Sequence, residues 1–291
     1  MNVLILTLLS CCFCLPTISF SNAFTIPPTT TTITTLHHRT TVTSHGARLL
    51  ATANDNDDSS SSSKERKPWD IIRFVSQSSK FITPPSLPFI GGSKESTRRK
   101  VGPGETLWTP SSSQNFFNFA PLDDVVMGGA SSSTVDNNTG TWKGIVTDAN
   151  NGGFVGIRST PFLEQPENKK LVLDMTNCKG VELRLRKGDG CRYKFVVRDS
   201  TEFNGICWAS EFDVGVSSGS SISGKKTTTI RIPFDKQRPT LFGNVVNEKT
   251  FDDENVAGFQ FAYSKFEYDG KLNEKFRLGD FVLQILEIRT Y

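Results

Sequence analysis

The chain has 291 residues, with 33 Lys and Arg, 30 Asp and Glu, three His and six Cys. All three histidines precede residue 46, so the rest of the chain offers no histidine base, no Ser-His-Asp or Cys-His arrangement and no zinc site with a histidine ligand. Residues 101–291 carry 22 Lys and Arg against 24 Asp and Glu, which provides no broad positive field for nucleic acid. A local basic patch is still conceivable at Arg184, Arg186, Lys187 and Arg192.

The N-terminal region predicts targeting sequences. Residues 1–23 are uncharged, with an apolar run over 3–15 that is too short to span a bilayer, and Ser21-Asn22-Ala23 suits a signal peptidase. Residues 24–54 lack Asp and Glu and are rich in Thr and Ser, as in a transit peptide. An aromatic residue after the cleavage site, here Phe24, resembles the bipartite presequence of algae with secondary plastids.

We therefore expect a signal peptide over residues 1–23, a transit peptide and disordered linker over 24–67, and a location in the plastid. The alternatives are a mitochondrial location, a buried or membrane-anchoring N-terminal helix, or secretion with a disordered Thr-rich stalk and a sequon at Asn137 open to glycosylation.

Residues 68–100 are predicted to form a short helix and a Pro-rich linker. The apolar residues of 69–75, with an extension over 80–82, suffice for one or two helical turns, and Pro84, Pro85 and Pro88 end any helix. We expect this helix to pack on the domain that follows. Contact of residues 69–82 with a membrane surface or a partner is the alternative.

The remainder, residues 101–291, is predicted to be all-β. Residues 181–186 alternate apolar and charged side chains, as a half-buried antiparallel strand should, and Asp189-Gly190 predicts a tight hairpin. Without an amphipathic helix of standard length, the pattern favours one domain with a two-sheet sandwich or jelly-roll fold. The predicted strands span residues 141–146, 153–158, 169–174, 181–186, 193–198, 206–212, 227–233, 258–263 and 281–289.

Reactive groups in this domain are few. Cys178, Cys191 and Cys207 have no Cys-x-x-Cys spacing, so buried free thiols are predicted, with one disulfide and a spare thiol as the alternative. There is no Walker A loop and no Gly-x-Gly-x-x-Gly after a strand. Carboxylate or metal chemistry, at Asp124 or Asp189, is the enzymatic possibility left.

Two glycine-bearing strings, residues 123–131 and 150–154, interrupt the strand pattern. Paired glycines indicate backbone that needs positive φ or close approach to another group. Asp123 and Asp124 could bind a cation or act as an acid/base pair, but neighbours on an extended segment point to opposite faces, which favours the capping of a turn. Met127 fits either a flexible contact or a core position, and Asn150 and Asn151 favour a left-handed turn.

The ordered motifs of the chain resemble those of the complex I intermediate-associated protein 30 family over residues 107–288. They are Asp-Asp-Val-Val-Met-Gly-Gly-Ala-Ser at 123–131, Trp-Lys-Gly at 142–144, Asn-Gly-Gly-Phe-Val-Gly-Ile-Arg at 151–158, Gly-Asp-Gly-Cys-Arg-Tyr-Lys at 188–194 and Ile-Pro-Phe at 232–234. The chain departs from the family at Cys191, where Arg is common, and at Thr229, where Trp is frequent. The resemblance implies a galactose-binding-domain-like β-sandwich. Founding members assist assembly of respiratory complex I, and plastid relatives are linked to photosystem biogenesis.

We accordingly expect a non-catalytic assembly factor or chaperone-like module without a cofactor or metal, whose partners are subunits or assembly intermediates of an organellar membrane complex. A carbohydrate or small-ligand binding domain is the alternative. Arg158 and Arg192 would be recognition groups if exposed and structural ion pairs if held beside carboxylates. The expected partner surface comprises Asp123, Asp124, Met127, Gly128, Gly129, Ser131, Asn151, Gly152, Gly153, Phe154, Arg158, Asp189 and Arg192.

Overall fold

The computed structural model describes residues 71–81, 96–164, 169–186, 188–202, 205–215, 227–241 and 244–291. The expected signal peptide, transit peptide and linker of residues 1–67, and the prolines of residues 84–88, lie outside these ranges. None of the described helices combines the length and the apolarity needed to cross a membrane.

Short strands dominate the described chain, and the nine predicted strands are all found, with ends that differ by two residues at most. The seven additional strands are short ones that carry little alternation. In chain order the strands are β1 (Thr97–Lys100), β2 (Thr106–Trp108), β3 (Phe119–Pro121), β4 (Ser132–Asp136), β5 (Thr141–Val146), β6 (Phe154–Ser159), β7 (Leu163–Glu164), β8 (Lys169–Asp174), β9 (Gly180–Arg186), β10 (Arg192–Arg198), β11 (Cys207–Asp213), β12 (Thr227–Pro233), β13 (Arg238–Leu241), β14 (Asn244–Val245), β15 (Gly258–Ser264) and β16 (Gly279–Thr290).

Helical structure in the described ranges is limited to one α-helix and four single-turn 3₁₀ helices. They are α1 (Ile71–Ser78) and the 3₁₀ turns Ser79–Phe81, Asp124–Met127, Ala149–Asn151 and Phe234–Lys236.

The strands form two large sheets that enclose one main core. The seven-stranded sheet has the order β14-β13-β11-β10-β15-β6-β3, and the six-stranded sheet has the order β12-β9-β16-β5-β4 with β2 added beside β16. A small third sheet, β1-β8-β7, contains the parallel pair β1–β8. Residues from both large sheets, including Trp142, Leu183, Phe195 and Phe261, belong to the same buried cluster. The predicted all-β sandwich of the jelly-roll type is confirmed.

The long strand β16 is bent by one extra residue. Its first half pairs with β5 and its second half with β9, and the register shifts between Ile285 and Glu287. Because the bulge restores the alternation after one residue, Leu283, Ile285 and Ile288 all point into the core. The outward positions of both halves therefore lie on one continuous outer surface of the six-stranded sheet.

The hairpin predicted at Asp189-Gly190 is wrong. Strand β9 belongs to the six-stranded sheet and β10 to the seven-stranded sheet, so the connection crosses between the sheets instead of turning back within one. Gly190 has φ +79°, and Asp189 accepts hydrogen bonds from the Cys191 N–H (3.0 Å) and the Tyr193 hydroxyl (2.6 Å). The Asp-Gly pair does form a turn, but the core pattern of the two strands decides which sheet each one joins.

Helix α1 packs on the sandwich, as predicted. Gln77, Ser78 and Phe81 are buried against it, and Phe81 joins a satellite apolar cluster that includes Leu122 and Phe154. Ile72 and Val75 remain 85% and 55% exposed on the helix.

The three cysteines of the domain are free thiols. Cys178 and Cys191 are buried, as predicted, and Cys207 is half-buried. Burial raises the pKa of the Cys178 and Cys191 thiols, so neither is activated as a nucleophile.

Candidate functional site

The carboxyl group of Asp124 lies at the centre of the two glycine strings and joins them. It accepts the Ser131 N–H at Oδ1 (2.9 Å), and at Oδ2 it accepts the Ser131 hydroxyl (2.7 Å) and the Gly153 N–H (3.0 Å). The side chain is buried, with the residue 1% exposed. Desolvation raises the pKa of Asp124, while the hydrogen bonds from Ser131, Gly153 and Phe154 act in the opposite direction.

Asp123 makes a matching set of contacts on the other side of the chain. The Ser133 hydroxyl and N–H donate to its two oxygens at 2.6 and 2.8 Å. Gln77 of helix α1 donates to its carboxylate through Nε2 and accepts its N–H through Oε1, both at 3.1 Å. The two carboxylates therefore point to different partners, although only Asp123 is extended and Asp124 already begins the 3₁₀ turn Asp124–Met127. Each carboxylate accepts a backbone N–H of the segment that leads into or forms the edge strand β4, and Asp123 also anchors helix α1 through Gln77.

The glycines allow the backbone to close around Asp124. A Cβ on Gly129 would lie 2.3 Å from the Asp124 Cγ, and a Cβ on Gly152 would lie 2.6 Å from its Oδ2. Gly128 ends the 3₁₀ turn Asp124–Met127 in the left-handed region, at φ +85°, and Gly153 has φ +119°. All four glycines of the two pairs have a structural reason to lack a side chain.

The second string turns through its asparagines. Asn150 and Asn151 have φ of +57° and +60°, which is the left-handed turn predicted from the sequence. The Asn150 amide donates to the carbonyl oxygen of Gly128 (2.8 Å), so the two loops are also tied together outside Asp124.

The two predicted arginines lie in different environments. Arg158 is 4% exposed, donates from Nε to Gln260 Oε1 (3.2 Å), and has its guanidinium 5.7 Å from the centre of the Phe81 ring. Arg192 is half-buried and donates to Asp213 (2.7 Å) and Glu267 (2.6 Å). The hydrogen bonds that Arg192 donates to these carboxylates raise its pKa above the ordinary value. Arg192 is therefore the structural ion pair that the sequence left as one of two possibilities.

Burial divides the predicted partner surface. The predicted members that lie inside the domain, where a partner cannot reach them without rearrangement, are Asp123, Asp124, Ser131, Gly152, Gly153, Phe154 and Arg158. The exposed or half-exposed members are Gly128, Gly129, Asn151, Asp189 and Arg192, and the backbone of Met127 lies in the turn beside Gly128. A partner surface at the loops stays a prediction for this smaller set.

A groove that the sequence reading missed lies immediately beside the loops. It has a volume of about 630 Å³ and runs along the outer surface of β4, β5 and β16, with Thr134, Lys143, Ile145, Asp280 and Val282 among its lining residues. Ile145 and Val282 are 50% and 47% exposed. Ile145 follows Thr141 and Lys143 at the outward positions of β5, so an apolar residue at a polar position was the available signal.

Comparisons with known proteins agree with the resemblance in the motifs. Residues 108–285, more than half of the chain, match the family described as Complex I intermediate-associated protein 30. No match to the chain is found among curated proteins.

Several solved structures are weakly similar to the chain. A family 11 carbohydrate-binding module from Clostridium thermocellum, in complex with a β-1,3-1,4-mixed-linked tetrasaccharide, is 16% identical, with coverage of 65% of this chain and 97% of that one and a TM-score of 0.40. The family 11 module of the cellulase Lic26A-Cel5E of the same organism is 13% identical, with coverage of 66% and 97% and a TM-score of 0.34. An exo-β-agarase is 12% identical, with coverage of 64% and 25% and a TM-score of 0.33.

At these values the solved structures assign no ligand to this chain. The family match, by contrast, spans the sandwich from β2 into β16 and contains both glycine strings and the two aspartates that hold them. The chain belongs to the complex I intermediate-associated protein 30 family.

Proposed function

We propose that this chain is a non-catalytic, chaperone-like binding module that assists the assembly of an organellar membrane complex, of the complex I or photosynthetic type. Membership of the complex I intermediate-associated protein 30 family carries the proposal. The partners are protein subunits or assembly intermediates, and binding requires no cofactor.

The hydrogen bonds that Asp123 and Asp124 accept support a non-catalytic role for these two carboxylates. The Asp124 carboxylate holds Ser131 and Gly153, and the Asp123 carboxylate holds Ser133 and Gln77. General acid–base chemistry needs a carboxyl group within hydrogen-bond reach of a substrate, and both groups are enclosed by donors of their own chain. Their geometry fits the closure of loops.

The exposed apolar side chains favour a protein partner over a sugar. Among the residues whose side-chain exposure the structure describes, which do not include Phe74, the large exposed apolar residues are all aliphatic: Ile72, Val75, Ile145, Val245, Leu272, Leu278 and Val282. Aliphatic surface gains free energy when it is buried against apolar protein side chains. A sugar ring would instead be recognised by stacking on an exposed aromatic face.

A plastid location is part of the proposal and rests on the N-terminal sequence. The sequon at Asn137, which could be glycosylated in a secreted protein, gives indirect support for the plastid location. The Asn137 side chain is already hydrogen-bonded to the backbone of Phe119. Its Oδ1 accepts the Phe119 N–H (2.8 Å) and its Nδ2 donates to the Phe119 carbonyl oxygen (3.0 Å). An attached glycan would disturb this pairing.

The test is affinity purification of the tagged full chain from isolated plastids and mitochondria, with identification of the co-purifying proteins. We expect subunits of one membrane complex, enriched in incompletely assembled forms, and reduced accumulation of that complex when the protein is depleted. Tight binding to a glycan panel without any complex subunit would overturn the proposal. So would a turnover that Asp124→Asn abolishes in a folded protein while the control Asp136→Asn, at an exposed carboxylate, preserves it.

A further inference from the structure

We propose that the outer surface of the six-stranded sheet binds an acidic, aliphatic-containing segment of the client protein. The surface has two adjoining parts: the groove beside β5, and a guanidinium cluster formed by Arg184, Arg231 and Arg289. This inference rests on the proposed function and adds to it the place and the chemistry of recognition.

The two parts lie on one surface because of the bulge in β16. Asp280 and Val282 point outward in its first half, and Glu287 and Arg289 point outward in its second half. Strand β9 adds Arg184 opposite Glu287, and β12 adds Arg231 opposite Glu182. A client segment that runs along β16 from Asp280 to Arg289 would meet both parts.

The groove provides the apolar part. Ile145 lies opposite Asp280, and Val282 lies opposite Lys143, in the antiparallel register of β5 and β16. Ile145 and Val282 are therefore diagonal neighbours, about 7–8 Å apart on one face of the sheet. Together they form a continuous apolar surface that aliphatic side chains of a partner can cover.

The charged part is layered, with carboxylates beneath and guanidinium groups above. Glu182 has a side chain 4% exposed and lies under Arg231 and Arg289, whose side chains are 65% and 44% exposed. Glu287 is 17% exposed beside Arg184, which is 56% exposed. Three arginines thus face solvent over two largely covered glutamates, so the charge that a partner meets at this cluster is positive. The groove carries Asp189 and Asp280 beside Lys143, so it would receive the aliphatic side chains of the segment, and the guanidinium cluster would receive its carboxylates.

These arginines retain hydrogen-bond donors. Arg231 uses Nε on Glu182 (2.9 Å), Arg289 uses Nε and Nη2 on the same carboxylate, and Arg184 lies 3.6 Å from Glu287. A guanidinium has five N–H donors in a fixed fork that fits a carboxylate with two parallel bonds. The remaining N–H groups can therefore bind carboxylates of a second chain.

An acidic protein segment fits this surface better than the other polyanions. Residues 101–291 are slightly acidic as a whole, so the domain lacks the wide positive field that draws in nucleic acid. Phosphate backbones would leave the aliphatic groove unused. A lipid surface would require apolar side chains that protrude into it, and here they line a groove.

The first test measures binding of a fluorescent peptide of alternating Glu and Leu to the full chain. In one variant Glu182→Gln, Arg231→Gln and Arg289→Gln are combined, because neutralising the arginines alone would leave a buried carboxylate without a counter-charge. The second variant is Val282→Thr. The matched controls are Arg98→Gln, an ion-paired arginine 48% exposed on β1, and Val245→Thr, a valine 42% exposed on β14.

We expect the triple variant to weaken peptide binding about tenfold, Val282→Thr to weaken it several-fold, and both controls to retain it. A peptide of alternating Lys and Leu should not bind. Equal binding by the variants and controls would overturn the assignment. So would arginine-dependent binding of single-stranded RNA, or of vesicles with anionic lipid, at concentrations where the acidic peptide does not bind.

The second test places a photo-crosslinking residue at position 282 in organelles, with position 245 as the control. We expect crosslinks from position 282 to client peptides rich in Asp, Glu and aliphatic residues. If complex subunits co-purify but crosslink equally from both positions, the surface assignment fails and the proposed function stands. If the peptide binds through the arginines but no complex subunit co-purifies, the proposed function fails and the surface assignment stands.

Discussion

Replacement of Gly129 by alanine tests whether the glycine strings exist to enclose Asp124. The new Cβ would lie 2.3 Å from Asp124 Cγ and 2.4 Å from its Oδ1, so the carboxylate must move. When it moves, the N–H groups of Ser131 and Gly153 lose the acceptor that they now reach at 2.9 and 3.0 Å. A buried N–H left without a partner costs about 1–3 kcal/mol. We therefore expect Gly129→Ala to lower the free energy of unfolding by about 2–6 kcal/mol.

A double-mutant cycle separates this cause from a general effect of the added methyl group. In an Asp124→Ala background the collision partner is absent, so Gly129→Ala should change the free energy of unfolding by less than about 1 kcal/mol. The matched control is Gly102→Ala, where a Cβ has no neighbour within 4 Å. The control should also stay within about 1 kcal/mol of the parent.

The measurement is urea unfolding followed by tryptophan fluorescence, since Trp108, Trp142 and Trp208 are all buried. The explanation is refuted if Gly129→Ala is as mild as Gly102→Ala. It is also refuted if the costs of Gly129→Ala and Asp124→Ala simply add, because the glycine would then not be there for the carboxylate.

Three further predictions follow from single contacts. The hydrogen bond from Arg231 holds the pKa of Glu182 below its ordinary 4.5, so the stability it adds is complete above that value and is lost as the pH falls through the lower folded pKa. Glu182→Gln should therefore lose less stability than the parent between about pH 6 and pH 3 in urea titrations. Gln77→Ala should speed amide hydrogen exchange in residues 71–81 and leave exchange in the core strands unchanged; equal exchange in the helix would contradict its anchoring by Asp123. Cys207, the half-buried thiol, should be alkylated before Cys178 and Cys191 in the native protein, as peptide mass spectrometry can establish.

The role of Asp123 and Asp124 could be narrowed to a few possibilities from the sequence but was assigned only by their contacts. The sequence offered Asp123 and Asp124 as candidates for metal binding, for acid–base chemistry or for a turn cap, but Asp123 makes no side-chain cap bond to the 3₁₀ turn that follows it. Instead, the two carboxylates tie the turn to Ser131 and Ser133. Asp124 precedes Ser131 by seven residues and Asp123 precedes Ser133 by ten, and these spacings match no local hydrogen-bonding motif. Only the fold of the intervening turn brings these groups together.

Local pattern was sufficient for the strands of the sandwich. Alternation over β9 and the apolar runs of β15 and β16 depend on side-chain period, which a sequence displays directly. The left-handed turn at Asn150 and Asn151 and the free thiols also follow from residue chemistry that acts over a few positions. The structure retains these local features because no long-range contact among the described residues of the sandwich opposes them.

Which strands pair with each other, and which charged side chains are buried, depends on the tertiary structure. Asp189-Gly190 makes a turn, but whether that turn closes a hairpin depends on which sheet buries the next strand, and β10 belongs to the opposite one. Glu182 occupies a position that alternation assigns to solvent, yet Arg231 and Arg289 cover it from neighbouring strands. Residues far apart in the sequence therefore determine both the sheet that β10 joins and the burial of Glu182. The sequence determined an all-β sandwich with tightly turning glycine loops and outward charges on β9. The packing of remote strands decided that the loops enclose Asp124 and that arginines from two neighbouring strands cover Glu182.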